Sequence, residues 1–291
     1  EGALRGMLST LYPHSSYLNR ENFKELQVET KGQFGGLGVE ITVKDGLLTV
    51  VSPIEDSPAY KAGVKAGDQI IKIEDEFTKD LTLMEAVKKM RGPKGSTVEI
   101  SVYREGSNDL IPIEVERDVI KVKSVRSRVL EEGFIYIRLS QFQEESADEF
   151  EKALGTLKDQ VPDKKIQGLV IDLRNNPGGL LNQAVRIVDM FIKDGIIVYT
   201  DGRIDSQNQE FKAKDDKDEP TYPIIVLVNG GSASASEIVS GALQDHKRAI
   251  VLGTQTFGKG SVQTILPMDA GSALRLTTAL YYTKSGRAIQ A

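Results

Sequence analysis

The chain has 291 residues, 40% of them hydrophobic, with 37 Lys plus Arg against 42 Asp plus Glu and a net charge of -5. That length supports one large core or two modest ones in one to three domains, and the acidic balance with no basic stripe argues against a nucleic-acid partner. No run of about 18 apolar residues is present to span a bilayer, and the absence of cysteine excludes a disulfide, a thiolate nucleophile and a Cys-based metal site while leaving the compartment open.

Residues 1–31 alternate helical patches with the turn "PHSS" and read as a short helical arm. The opening residues lack the basic, apolar and cleavage-site regions of a signal peptide, so the chain is expected to start inside a mature protein. From 32 to 118 come short β-branched runs, Val39 to Val43, Leu47 to Val51, Gln69 to Ile73, Thr97 to Val102 and Ile111 to Val115. Two helical patches interrupt them, "SPAYKAGV" and "LTLMEAVKKMRG", the second with Leu83, Ala86, Val87 and Met90 on one face. This is a compact, mostly β module.

From 119 to 291 the pattern becomes strand, turn, helix: "GFIYIRL", a helix around Ala147 to Leu157, "GLVIDL", the turn "NNPGG", then "LLNQAVRIVDMFI". Such alternation argues for βαβ units and a largely parallel sheet. The polar stretch 200–223 reads as an exposed loop or hairpin. It leads into "IIVLV" (224–228), a run suited to a strand buried on both faces.

Directly behind that strand stands "NGGSASASEI", with serines at 232, 234 and 236. A strand, two glycines and a serine opening a helix expose a side-chain oxygen where backbone N–H groups and the helix dipole favour negative charge. The bland alternative is a capping box, since Ser234 and Glu237 fit S-x-x-E. A nucleophile needs a base, and histidine does not supply it: His246 lies at the far end of a helix starting at 234, roughly 18 Å away, and His14, beside Pro13, has no carboxylate near it in sequence to orient it. Lys259, between two glycines in "GTQTFGKGSVQTILP", is the other candidate. A lysine can accept a proton if burial in an apolar pocket lowers its pKa from about 10.4. The same stretch satisfies G-x-x-x-x-G-K but places Gly260 where a phosphate loop needs Ser or Thr, and a β-prone run follows instead of a helix, so nucleotide binding is disfavoured.

Together "GGSASASEIVSGALQD", "GTQTFGKGSVQT" and "DLRNNPGG" resemble the carboxyl-terminal processing peptidases, or tail-specific proteases, a Ser-Lys serine endopeptidase family. The resemblance extends to "GMLSTLYPHSSYL" and to "FGGLGVEI…DSPAYKAGVKAGDQI", which looks like a PDZ domain. It implies a ClpP/crotonase-like α/β core with an inserted mostly-β PDZ domain and a short N-terminal helical arm, the domains being 1–31, 32–118 and 119–291, with the C-terminal end expected to be truncated. The family nucleophile falls on Ser234, the general base on Lys259, and the assisting glutamine on Gln263. A straight strand would separate 259 from 263 by about 13 Å, so their contact needs a bend, expected at Gly260. The oxyanion donors would be the N–H groups of Ala235 and Gly179, with Gly178 as second choice to Gly179.

In the PDZ-like module, Gly35, Gly36, Leu37 and Gly38 match a carboxylate-binding loop. Val39 and Ile41 would line a strand that pairs with an extended tail, and Leu83 and Val87 would wall the groove. The resemblance implies tail-exposed or unfolded protein substrates with apolar C-termini, no cofactor and no metal. It allows an adaptor or regulatory protein and a homo-oligomer, and it implies an extracytoplasmic location, in the bacterial periplasm or cell envelope or in a chloroplast lumen. The rival expectations are a non-catalytic PDZ scaffold and a crotonase-like acyl-CoA enzyme.

Overall fold

Every β-branched run named above forms a strand in the computed structural model, which describes residues 2–12, 14–161, 163, 165–215 and 219–291. Pro13 of the expected "PHSS" turn and residues 216–218 of the expected loop lie outside the described residues. The chain divides into two units, one of residues 33–122 and one of the residues up to Gly32 and from Lys123 onward.

The N-terminal arm supplies α1 (Gly2–Ser9), β1 (Ser16–Leu18) and α2 (Arg20–Lys31). Helix α2 starts where the Asn19 side chain accepts the N–H of Asn22 at 2.8 Å, and it stops at Gly32, whose φ of 66° only glycine adopts readily.

The 33–122 unit runs β2 (Gln33–Gly36), β3 (Val39–Lys44), β4 (Leu47–Pro53), α3 (Pro58–Lys61), β5 (Gln69–Ile73), β6 (Glu76–Phe77), α4 (Leu83–Met90), β7 (Thr97–Tyr103), β8 (Ile111–Glu116) and β9 (Asp118–Lys121). Its main antiparallel sheet has the order β3-β4-β5-β7-β8, which leaves β3 on an edge. Strands β2 and β9 form a separate antiparallel pair. Alternate residues of the strands and the inner face of α4 meet in one core of Leu37, Val50, Ile70, Ala86, Met90, Ile100 and Val115. A capping box of Thr82 and Glu85 starts α4.

The larger unit continues with β10 (Val125–Val129), β11 (Phe134–Leu139), α5 (Ser146–Gln160), β12 (Gly168–Asp172), α6 (Leu181–Asp189), β13 (Ile196–Gly202), β14 (Glu210–Lys212), β15 (Ile224–Val228), α7 (Ala235–Asp245), β16 (Ala249–Gly253), β17 (Ser261–Pro267) and β18 (Ala273–Tyr282). One sheet has the order β10-β11-β12-β15-β16. Its last four strands are parallel, with Ile137 beside Ile171, Ile171 beside Val226 and Val228 beside Gly253. Parallel neighbours need crossovers, and α5, α6 and α7 lie within these connections. Strand β15 was expected to be buried on both faces. Its residues instead alternate buried and half-buried, because the core helices cover only the side of Ile224, Val226 and Val228.

A second sheet joins β18 to β1 and β13 on one edge and to β17 on the other, with β14 beyond β13 as the hairpin expected between 200 and 223. Helix α7 is buried from Ala235 through Leu243, and its small residues let neighbours approach closely. No helix among the described residues is long and apolar enough to cross a membrane.

Candidate active site

Ser234 ends the loop that leaves β15 and stands immediately before α7, with φ 54° and ψ -112°. This conformation lies outside the regions that L-residues occupy freely, and strain of this kind costs on the order of 1–3 kcal/mol, persisting only where the surroundings over-determine it. Its two flanking serines do much of that determining. Ser232 Oγ donates to the Leu173 carbonyl at 2.7 Å and accepts the Asn229 N–H at 3.0 Å. Ser236 Oγ donates to the Asn176 carbonyl at 2.9 Å, which also accepts the Ala233 N–H. The outer serines thus fasten this turn to the segment after β12. The middle hydroxyl sits in a capping-box arrangement with Glu237 but makes no cap hydrogen bond of ordinary geometry. The Glu237 N–H goes to the Ser234 carbonyl at 2.8 Å, and the return bond, Ser234 N–H to Glu237 Oε2, is made at 2.8 Å.

The turn "NNPGG" packs directly against this serine. Asn176 is fully buried, its Nδ2 donating to the Leu139 carbonyl and its Oδ1 accepting the Gly178 N–H, each at 2.9 Å. A Cβ on Gly178 would lie 2.8 Å from Ser234 Cβ and 3.0 Å from the Ala235 nitrogen, so only glycine permits the approach. Because Asn176 takes the Gly178 N–H, that group is committed. The N–H groups of Gly179 and Ala235 donate to no protein acceptor among the described residues. Both are therefore free to receive a developing oxyanion.

Asp172, fully buried at the end of β12, anchors the start of the same turn. It accepts the Arg174 backbone N–H at 3.0 Å and the Arg174 guanidinium at 2.7 and 2.9 Å. Tyr136 Oη and Arg138 complete the set. Burial alone would raise this carboxyl, but the bonds from Arg174 and Tyr136 outweigh it and hold its pKa at about 2.

Lys259 lies on the loop between β16 and β17, not on the strand itself. The loop folds back on the serine turn: Phe257 N–H donates to the Ser232 carbonyl at 3.0 Å, Gly258 N–H to Glu237 Oε1 at 2.7 Å and Lys259 N–H to Glu237 Oε2 at 2.9 Å. Ser234 and Lys259 thus share one carboxylate oxygen, which puts their backbone nitrogens within about 6 Å of each other. Burial pushes the Lys259 ammonium below the ordinary lysine range, and the Arg275 charge adds to the shift.

Gln263 Nε2 donates to the His14 carbonyl at 3.0 Å, and the pairing register of β17 with β18 shifts between Val262 and Gln263. The Gly260 carbonyl just before β17 accepts the Tyr281 N–H at 2.7 Å. His246 sits at the opposite end of α7 with Nε2 2.8 Å from the Ile196 carbonyl, so its ring does not serve Ser234.

In the 33–122 unit, Gly35 and Gly36 end β2, and Leu37 and Gly38 follow it. The carbonyls of Leu37 and Gly38 are held from one side by Ala59 N–H, Ser57 Oγ and Ile54 N–H, while their own N–H groups have no protein acceptor among the described residues. Val39 and Ile41 of β3 are half-buried against the core that includes Leu37 and Met90. Leu83 is exposed and Val87 half-buried, both outside that cluster.

Glu237, Asn176 and Asp172 were not singled out as site residues from sequence. Glu237 had a signal, the capping box, but that signal reads as local, whereas two of its three partners lie more than twenty residues downstream.

Residues 133–291 match the model of peptidase family S41, and residues 35–115 match a PDZ domain. The chain is 53% identical over 291 residues to a carboxy-terminal-processing protease of Bartonella bacilliformis, covering all of this chain and 67% of that protein. It is 37% identical over 287 residues to the carboxy-terminal processing protease CtpA of Bacillus subtilis, covering 98% of this chain and 60% of that protein. Among solved structures, the photosystem II D1 C-terminal processing protease superimposes with a TM-score of 0.58 at 30% identity, over 99% of this chain and 78% of that one. The chain therefore belongs to peptidase family S41, serine peptidases among which are the carboxy-terminal processing proteases.

Proposed function

We propose that this protein is an endopeptidase that captures exposed, apolar C-terminal tails on its PDZ domain and cleaves the substrate through a Ser-Lys acyl-enzyme. The observation that carries the reading is that a strained Ser234 and a lysine whose charged form is disfavoured by burial donate their backbone N–H groups to the same Glu237 oxygen, which brings the two residues close. Lys259 Nζ takes the proton of Ser234 Oγ as the oxygen attacks the scissile carbonyl. The oxyanion is received by the N–H groups of Ala235 and Gly179, which have no protein acceptor among the described residues. Collapse expels the amine with the proton from Lys259; water then attacks the ester as Lys259 accepts its proton, and that proton passes to Ser234 Oγ as the acid leaves. Gln263, with one amide N–H on the His14 carbonyl, keeps its second N–H and its Oε1 for the assisting role.

The tail reading rests on the free N–H groups of Leu37 and Gly38, which can hold a terminal carboxylate, and on the edge position of β3, which can pair with an extended tail. An envelope or lumenal location, an adaptor and self-association belong to the same proposal for the full-length protein. Hydrolysis of one unstructured substrate tests the function. The parent should cleave the free-acid form faster than the C-terminal amide by about tenfold or more, and Ser234→Ala should cleave neither. Equal rates for acid and amide would remove the tail-binding part, and turnover by Ser234→Ala would remove the nucleophile.

A further inference from the structure

We infer that Glu237 is the positioning residue that assembles the site, holding the nucleophile turn and the base loop in register through one carboxylate; the inference rests on the Ser-Lys reading above. Glu237 is 6% exposed and has no side-chain cation bonded to it among the described residues. Its oxygens are taken instead by three backbone N–H groups: Ser234 and Lys259 on Oε2 at 2.8 and 2.9 Å, and Gly258 on Oε1 at 2.7 Å. A capping box accounts for the first bond only. The other two reach across the sequence to the segment that carries the base.

The three bonds have separate consequences. The one to Ser234 fixes a residue whose φ of 54° is otherwise costly. It also commits the Ser234 N–H, so the first free amide of α7 is that of Ala235. The bonds to Gly258 and Lys259 tie the base loop to the first turn of α7, where Lys259 is half-buried. A buried carboxylate satisfied only by amides gains its full set of bonds only when both segments are in place, and its loss leaves three donors unmet. Glu237 touches neither the substrate nor the proton in transit.

The expected signature is therefore kinetic and local. In Glu237→Gln one acceptor oxygen remains and the other position becomes an NH2 group that faces N–H donors, so at least one arm of the clamp must open. Glu237→Asp keeps the charge but shortens the reach by one methylene and guards against a folding artefact in the first variant.

The test is covalent labelling of Ser234 by a fluorophosphonate across pH, in the full-length protein, with Ser234→Ala and Lys259→Arg alongside and amide hydrogen exchange on each variant. Both Glu237 variants should label at least about a hundredfold more slowly. The midpoint of their labelling pH profile should move up toward the ordinary lysine value as Lys259 becomes more exposed, and the amides of Gly258 and Lys259 should lose protection while those of α7 keep it. Parental labelling rate and pH midpoint in both Glu237 variants, with Lys259→Arg unlabelled, would overturn the clamp and leave the Ser-Lys reading standing. Parental labelling of Lys259→Arg, or any specific labelling of Ser234→Ala, would overturn both.

Discussion

A positive φ at a non-glycine residue is a stability cost that glycine removes, so Ser234→Gly separates function from folding at one atom group. It should stabilise the protein by about 1 kcal/mol in denaturant titration, because relief of backbone strain exceeds the few tenths lost by changing an N-cap serine to glycine. It should also be inactive. Destabilisation by Ser234→Gly would mean that the backbone conformation costs nothing and that its link to the nucleophile is void. At this scale the sequence was most informative, since Ser234, Lys259 and Gly179 each sit in a short linear motif. Glu237 and Gln263 were less legible for a physical reason: their side-chain partners, Gly258, Lys259 and the His14 carbonyl, depend on how distant segments fold back.

Between residue and molecule, the turn from Asp172 to Gly179 is what presents the site to the end of β15. The bonds from Arg174 and Tyr136 hold the folded Asp172 carboxyl down at about 2, against about 3.9 for an unfolded aspartate. Between those values the unfolded chain binds more protons, so this contribution is complete above about pH 4 and is lost as pH falls through about 2. Asp172→Asn should lower stability at neutral pH by about 2 kcal/mol and shrink the loss between pH 4 and 2, read from denaturant midpoints across that range. An unchanged acid profile would show that another group carries it. Gly178→Ala is the steric counterpart: its Cβ would lie 2.7 Å from the Ala233 carbonyl at a φ of 102°, and activity should fall by at least about a hundredfold through displacement of the Ser234 turn. Strands and helices of this region were readable because apolar spacing marks them. The half-exposed second face of β15 was not, because a continuous apolar run does not say which of its faces a helix will cover.

As a whole molecule, the chain carries two separate hydrophobic cores, one in the 33–122 unit and one in the larger unit. A unit with its own core should fold alone, so excised 33–122 should unfold cooperatively and bind an apolar peptide only when its carboxyl terminus is free. Binding of the amidated peptide with equal affinity would shift recognition away from the Leu37 and Gly38 amides. The larger unit holds every element of the proposed chemistry, and its central claim is that Lys259 acts as a neutral base. The most direct measurement is kcat/KM against pH for the full-length parent and Lys259→Arg. Because burial and the Arg275 charge both lower the lysine, the parent should rise with pH through a midpoint below the ordinary lysine range, and Lys259→Arg should be inactive at every pH, since a guanidinium stays protonated and cannot take the serine proton. Near-parental turnover by Lys259→Arg would contradict the account.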